Sequence, residues 1–482
     1  MSLIDESNNP IPIFDELIDS NGNTRKQFSK LGDFLDQMTP SELVARQKDV
    51  QLCIKEMGIS FTVYSEGENI DRQWPFDLIP RLIPLNEWQE TTKGLTQRLK
   101  ALNCFIDDVY NDQNIVKAGI VPLYVIEQSK GYRPECKGIS PYNGVWANIC
   151  GSDLVRDHLG DFYVLEDNLR VPSGVSYMLE NRNVMKRIFP EVFAEQDILS
   201  NAEYPNQLRK MLIDISQNTT KDVTIAVLTP GVFNSAYFEH SYLAQQMGAY
   251  LVQGDDLIVK DDFLFLKSIY GLVKVDVIYR RIDDEFLDPA VFNKESMLGV
   301  EHIMDVWKKG NVAIANAPGA GVADDKVVYS YVPQMIEYYL KEEPILKNVP
   351  TYLCVVPEDM EYVLANLEKL VVKPASESGG YGMLIGPHAD KAEIEKFRKL
   401  IQENPRNYIA QPTLSLSTVP TLCGDAIESR HVDLRPFILQ GKDTYVTNGG
   451  LTRVALRRGS LVVNSSQGGG SKDTWIINTG EA

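Results

Sequence analysis

The sequence predicts an α/β protein with α+β elements, and three observations predict it. From about residue 147 onward, short apolar runs alternate with segments of helical periodicity. After about residue 410 the pattern turns mostly to strands, in RHVDLRPFIL, DTYVTNG and LVVNSS. Ahead of both lies a polar stretch, 1–75, with helical segments.

Taken in order, 40–56 (PSELVARQKDVQLCIKE) and 86–108 read as helices, the second amphipathic. Strands are expected at 162–166, 224–229, 249–252, 273–279, 312–315, 370–373, 383–385 and 408–411. Helices are expected at 177–188, 205–217, 236–246, 295–309, 332–341, 358–368 and 392–403. No self-similar period of about 20–50 residues appears.

The 482 residues correspond to about three compact units at about 150 residues each. Lys and Arg total 48 against 66 Asp and Glu, a net charge of −18. Nucleic acid and anionic membrane surfaces are therefore not expected as partners, because phosphate backbones need a cationic footprint. An anionic ligand in a locally basic pocket stays open. No apolar run approaches the about 18 residues of a membrane span, and the start, MSLIDESNNPIPIFDEL, lacks a basic segment followed by an apolar one. The six cysteines, at 53, 104, 136, 150, 354 and 423, are too far apart for a zinc knuckle and read as reduced and cytoplasmic.

The strongest local signal is LVVKPASESGGYGMLI, residues 370–385. An apolar strand ends in Lys373-Pro374, a loop with Ser376, Ser378, Gly379, Gly380 and Gly382 follows, and then a second strand. Glycines let backbone amides approach an anion without Cβ obstruction, and Lys373 supplies a point charge for phosphate. No GxxxxGK[ST] loop is present. The bland alternative is a flexible hairpin with an incidental Lys.

The second signal is GSDLVRDHLGDFYVLEDNLR, residues 151–170. At period two, Glu166 and Asn168 share one strand face, offering hard oxygen donors of the kind Mg²⁺ takes beside substrate phosphates. Asp153 adds a carboxylate, and Arg156 a cation for phosphate. The alternative is a solvated acidic hairpin. The third signal is SRHVDLRPF, where His431, Asp433 and Arg435 alternate with Arg430, Val432 and Leu434. Arginines there suit developing negative charge, or an ion-paired surface strand. GGLTR (449–453) and NSSQGGGSK (464–472) add Gly-rich polar turns and cations. DVIYRRIDD carries Arg280 and Arg281. NAPGAGVADDK ends in Lys326, with Asp324 or Asp325 placed to cap the next element.

Together these segments resemble the ATP-grasp ligases, specifically circularly permuted members related to glutathionylspermidine synthetase. Lys326, Lys373, SESGGYG, the YIAQP strand and DLRPF follow the family order. VLEDNLRVPSG resembles the family's final metal strand yet lies ahead of everything else, which is the mark of the permutation. The resemblance spans about residues 85–475. It implies a circularly permuted ATP-grasp fold with an added N-terminal helical region. Its parts would be a 1–75 extension, a metal-binding part at 76–220, a substrate-side α/β part at 221–315 and an ATP-binding part at 316–482.

The resemblance further implies ATP and Mg²⁺ as cofactors. Lys326 and Lys373 would bind phosphates, Ser378, Gly379, Gly380 and Gly382 would form the lid, and Gln411 would sit at the adenine hinge. Many relatives place an acid where Gln411 stands. Asp153, Glu166 and Asn168 would hold the metal. Arg156, Arg435 and Lys373 would serve the transferring phosphoryl group. Arg170, Arg182, Arg280 and Arg281 are the candidates to hold an anionic substrate, with ordinary ion pairing as the alternative. The implied activity is ligation of a small-molecule or peptide carboxylate to an amine through an acyl-phosphate. Two other readings compete: a nucleotide-responsive binding protein without turnover, and a two-carboxylate hydrolase using Asp153 and Glu166. The acid, the amine and the oligomeric state are not legible in the sequence.

Overall fold

The computed structural model describes residues 13–65, 68–216, 218, 222–377, 382–456, 463 and 469–479. The N-terminal helix Pro40–Glu56 begins where the Thr39 hydroxyl accepts a hydrogen bond from the Glu42 amide and the Glu42 carboxylate accepts one from the Thr39 amide, with Pro40 at the first helical position. The N-terminal region is not only helical: strands Ser60–Ser65 and Glu68–Gln73 pair antiparallel behind that helix.

The body is built on one large sheet. Its strands run in the order Lys347–Asn348, Phe162–Asn168, Ile149–Arg156, Ala426–Gln440, Thr444–Val454, Gly470–Ile477 and Phe76–Pro84, with Thr418–Cys423 paired to Ala426–Gln440. The two outermost pairs are parallel and the interior is antiparallel. Early strands (Ile149–Arg156, Phe162–Asn168) thus lie beside the late ones expected after residue 410. The 26-residue helix Leu85–Tyr110 packs on this sheet, burying Leu95, Leu99, Leu102, Ile106 and Val109 at alternating spacings of four and three.

A second, wholly parallel sheet has the order Ala313–Ala315, Val277–Arg280, Ile225–Leu228, Tyr250–Val252. Its strands are short and apolar, as expected for a sheet covered by helices such as Tyr204–Ile215 and Tyr237–Met247. A third sheet, Tyr352–Leu353, Tyr408–Pro412, Leu370–Pro374, Leu384–Ile385, is antiparallel and has its own small core, which includes Val363, Val372, Phe397 and Ile401.

Three local expectations are corrected. The strand expected at 273–279 is two strands, Gly271–Lys274 and Val277–Arg280, in different sheets. The helix expected at 295–309 is helical only over Ile303–Lys308. Gly299 lies so close to the chain that a Cβ there would stand 2.1 Å from the carbonyl oxygens of Phe286 and Leu287, and the Asp288 carboxylate takes the His302 and Met304 amides. Backbone packing and a side-chain cap therefore override helical periodicity. The helix expected at 332–341 is one α-turn, Val332–Met335, continued by a π-turn over Ile336–Leu340.

Candidate functional site

The two strands of the acidic segment pair so that Asp153 stands opposite Glu166 and Gly151 opposite Asn168, with an irregularity just after Asp153. Alternation sends Glu166 and Asn168 to one face and Asp167 to the other. Asp167 is buried, held by Arg98 at 2.7 Å and Ser152 at 2.8 Å. The Asn168 side chain donates to the Gly151 carbonyl at 3.0 Å, which leaves its own carbonyl oxygen as the acceptor end.

Two later segments bring lysines to the same place. Asp325 caps the short helix Lys326–Tyr329 by accepting from the Val327 amide at 2.8 Å, and Arg406 anchors that carboxylate at 2.9 Å. Lys326, first in the helix, reaches the Glu166 carboxylate at 3.2 Å and donates to the Glu377 carbonyl at 2.7 Å. Asp324, the other capping candidate, instead accepts from Arg170 at 2.6 Å. Lys373 lies near the end of Leu370–Pro374 and donates to Gln411 Oε1 at 2.8 Å, while Gln411 Nε2 donates to Thr351 at 3.1 Å. Burial pushes the Lys373 ammonium down to about 8, with Lys326 adding repulsion, while the charges of Glu166 and Asp153 oppose the shift. Lys326 and Glu166 thus pair directly, and Lys373 lies within the electrostatic reach of both.

Beside that pair runs a chain of alternating charges. Asp153 accepts from Arg435 at 2.5 and 2.7 Å and from Arg453 at 2.7 Å, and Arg453 also grips Asp433. Burial would raise the Asp153 carboxyl, but Arg435 and Arg453 outweigh it and hold it well below the usual carboxylate range. Burial pushes Asp433 up despite Arg453. Arg453 was not among the expected site residues; GGLTR was the only signal, and the sequence does not state that Arg453 pairs with Asp153 across 300 positions.

The donor set fits Mg²⁺ in part. Both oxygens of Asp153 are occupied by guanidinium groups, so its expected role as a direct ligand is not what its contacts show. Glu166 and Asn168 present oxygens on the cleft face, and Mg²⁺ commonly takes one or two protein oxygens with the rest from phosphates and water. Among the described residues, no group of three or more His, Cys, Asp or Glu converges as a metal cluster.

Several expected residues are not gathered here. Arg156 stacks on Phe162 at 4.1 Å and pairs with Glu87 at 2.7 Å and Glu16 at 3.6 Å. Arg182 is buried against Asp473 at 2.7 Å and the Thr474 carbonyl at 2.7 Å. Arg280 is buried against Asp284 at 2.7 Å and the Asn316 carbonyl at 2.6 Å. Arg281 is buried against Glu239 at 3.0 Å and the Pro172 carbonyl at 2.7 Å. All three buried arginines tie segments together through backbone carbonyls. Arg170 alone of the four substrate candidates lines an open cleft, with its side chain 30% exposed. Ser378, Gly379 and Gly380 lie outside the described residues; Gly382 has φ +67°, a conformation that favours glycine.

A family profile described as circularly permuted ATP-grasp type 2 matches residues 80–455. An uncharacterised protein of Synechocystis sp. is 55% identical over 98% of each chain. A Frankia casuarinae protein provisionally named glutamate–cysteine ligase 2-2 is 42% identical over 96% of this chain and 53% of its own length. The solved structure of a glutathione synthetase-like effector from Globodera pallida, in its apo form, is similar with a TM-score of 0.60 at 12% identity, covering 92% of this chain and 98% of that one. At that identity the likeness speaks for the fold.

Proposed function

The chain belongs to the circularly permuted ATP-grasp type 2 family, and from that premise we propose that it is an ATP- and Mg²⁺-dependent ligase joining a carboxylate to an amine. The observation that carries the reading is the meeting of Glu166 with Lys326, and with the charge of Lys373, from two distant stretches of chain. A triphosphate in such a cleft meets two ammonium groups and an acid–amide pair suited to its metal. The name of the Frankia relative points the same way.

In this reading Lys326 and Lys373 bind phosphate oxygens, and Gln411 and Thr351 orient Lys373. Glu166 and Asn168 would hold Mg²⁺, which neutralises phosphate charge when bound. Arg453 and Asp433 fix Asp153, which in turn orients Arg435, whose side chain is 15% exposed. A carboxylate oxygen of the substrate attacks the γ-phosphorus and ADP leaves. The amine nitrogen then attacks the acyl carbon, phosphate leaves with the bond electrons, and the nitrogen gives up a proton. The 376–382 loop, of which 378–381 lie outside the described residues, is assigned the exclusion of water from the acyl-phosphate.

The test is ADP release by the full chain with Mg²⁺ and ATP against pooled carboxylates and amines, followed by mass spectrometry. The expected result is ADP release dependent on both pools and a product of the summed masses less water. Tight ATP binding with no ADP release across the pools would instead make the protein a nucleotide-responsive binder.

A further inference from the structure

An open cleft lies between Ser376–Glu377 and Asp283–Glu285, where the short helix Asp284–Leu287 begins. Lys130, Arg133 and Arg170 also line it. It adjoins the phosphate site, because Lys326 donates to the Glu377 carbonyl.

Its charges can be sorted by what already satisfies them. Asp284 is buried on Arg280 and the Gly319 amide, Asp325 on Arg406, and Asp324 on Arg170. Those pairs are structural. The rest are loosely held. Asp283 is 3.4 Å from Arg170, and Lys130 is 3.3 Å from Glu377, with both of the latter side chains more than half exposed. Arg133 lies over the Phe292 ring at 5.7 Å and approaches a carboxylate only at Asp284, 3.5 Å from its Nε, and its guanidinium makes no hydrogen bond among the described residues. The exposed Glu285 carboxylate likewise has no partner among the described residues.

The cleft thus retains unsatisfied groups of both signs. A simple anion would meet Asp283, Glu285 and Glu377, and a polyamine would meet Arg133 and Lys130; either leaves like charges facing each other in a partly desolvated space. A molecule carrying both signs satisfies both sets. We infer that this cleft seats a small zwitterionic substrate, an amino acid or short peptide by its chemistry, with Arg133 taking its carboxylate and Glu285 its ammonium group. The inference rests on the ligase reading and names its substrate class.

The experiment is thermal unfolding of the full chain, without nucleotide, against four probes: pooled free amino acids and short peptides, the same compounds amidated at the carboxyl, the same compounds N-acetylated, and spermidine. Free compounds are expected to raise the melting temperature, and the other three probes are not. Arg133→Met should weaken the apparent affinity at least about tenfold, the order of one charge-assisted hydrogen bond. Arg133→Lys should retain part of the response, and Glu285→Gln should erase the preference for free over N-acetylated compounds. Stabilisation by amidated compounds or by spermidine as strong as that by the free compounds overturns the inference. So does no response to any probe from a protein that Mg²⁺–ATP still stabilises. Failure of Mg²⁺–ATP itself to stabilise the chain counts against the ligase reading instead.

Discussion

Lys326 and Glu166, 326 − 166 = 160 positions apart, meet in an ion pair of 3.2 Å with side chains 11% and 20% exposed. In the proposed ligase reading, the carboxylate that would hold the metal and the ammonium that would meet phosphate are thus in direct contact.

Glu166→Gln is expected to lower ADP release by about 100-fold or more, as loss of a preorganised charge does. The fold should survive, because Gln keeps the shape and the acceptor oxygen of Glu and Lys326 retains its hydrogen bond to the Glu377 carbonyl. Steady-state ADP release beside a urea melt checks this. Wild-type turnover in a folded E166Q protein would remove Glu166 from the site.

Lys373 is expected to make ATP binding depend on pH. Burial pushes its ammonium down to about 8, and bound phosphates would favour the charged form. Binding at pH 8 should therefore take up about half a proton at this position, and binding at pH 6 almost none from it. Affinity should fall as pH rises through 8. Calorimetry in buffers of different ionisation enthalpy reads the uptake, and K373M should abolish it. Equal uptake in the variant would assign the proton elsewhere.

Asp153 is expected to matter first for stability. Asp153→Asn leaves Arg435 and Arg453 buried without their shared charge, a loss of about 3–5 kcal/mol. Because the folded carboxyl titrates below its unfolded range, its contribution is present above the unfolded pKa and is lost as pH falls through the folded one. Denaturant midpoints of wild type and D153N should converge in strong acid. Midpoints that differ equally at every pH would contradict this.

Gly450 stands opposite Pro436 in the sheet, and a Cβ there would lie 2.6 Å from the Arg435 carbonyl oxygen. Gly450→Ala should cost about 1–3 kcal/mol of stability by forcing the strands apart. It should also lower turnover by displacing the Arg435 guanidinium. Wild-type stability and turnover in G450A would show that the strands yield without cost.

The elements with a local cause were legible in the sequence. Pro40–Glu56 carries its own start, Phe162–Asn168 its alternation, and the Lys373 strand its glycine-rich sequel. The candidate site's residues could be named too, Glu166 and Asn168 from strand alternation and Lys373 from its glycine-rich sequel, whereas Lys326 entered only through the family resemblance. What the fold alone decided is which charges face each other. Arg182, Arg280 and Arg281 are the same residue type as Arg170, yet they are buried against acids and carbonyls while Arg170 opens on a cleft. Arg453 became a partner of Asp153 only when strands 300 positions apart were laid in one sheet. Periodicity and caps act over a few residues, whereas burial and pairing of charge depend on contacts between segments that the chain order does not encode.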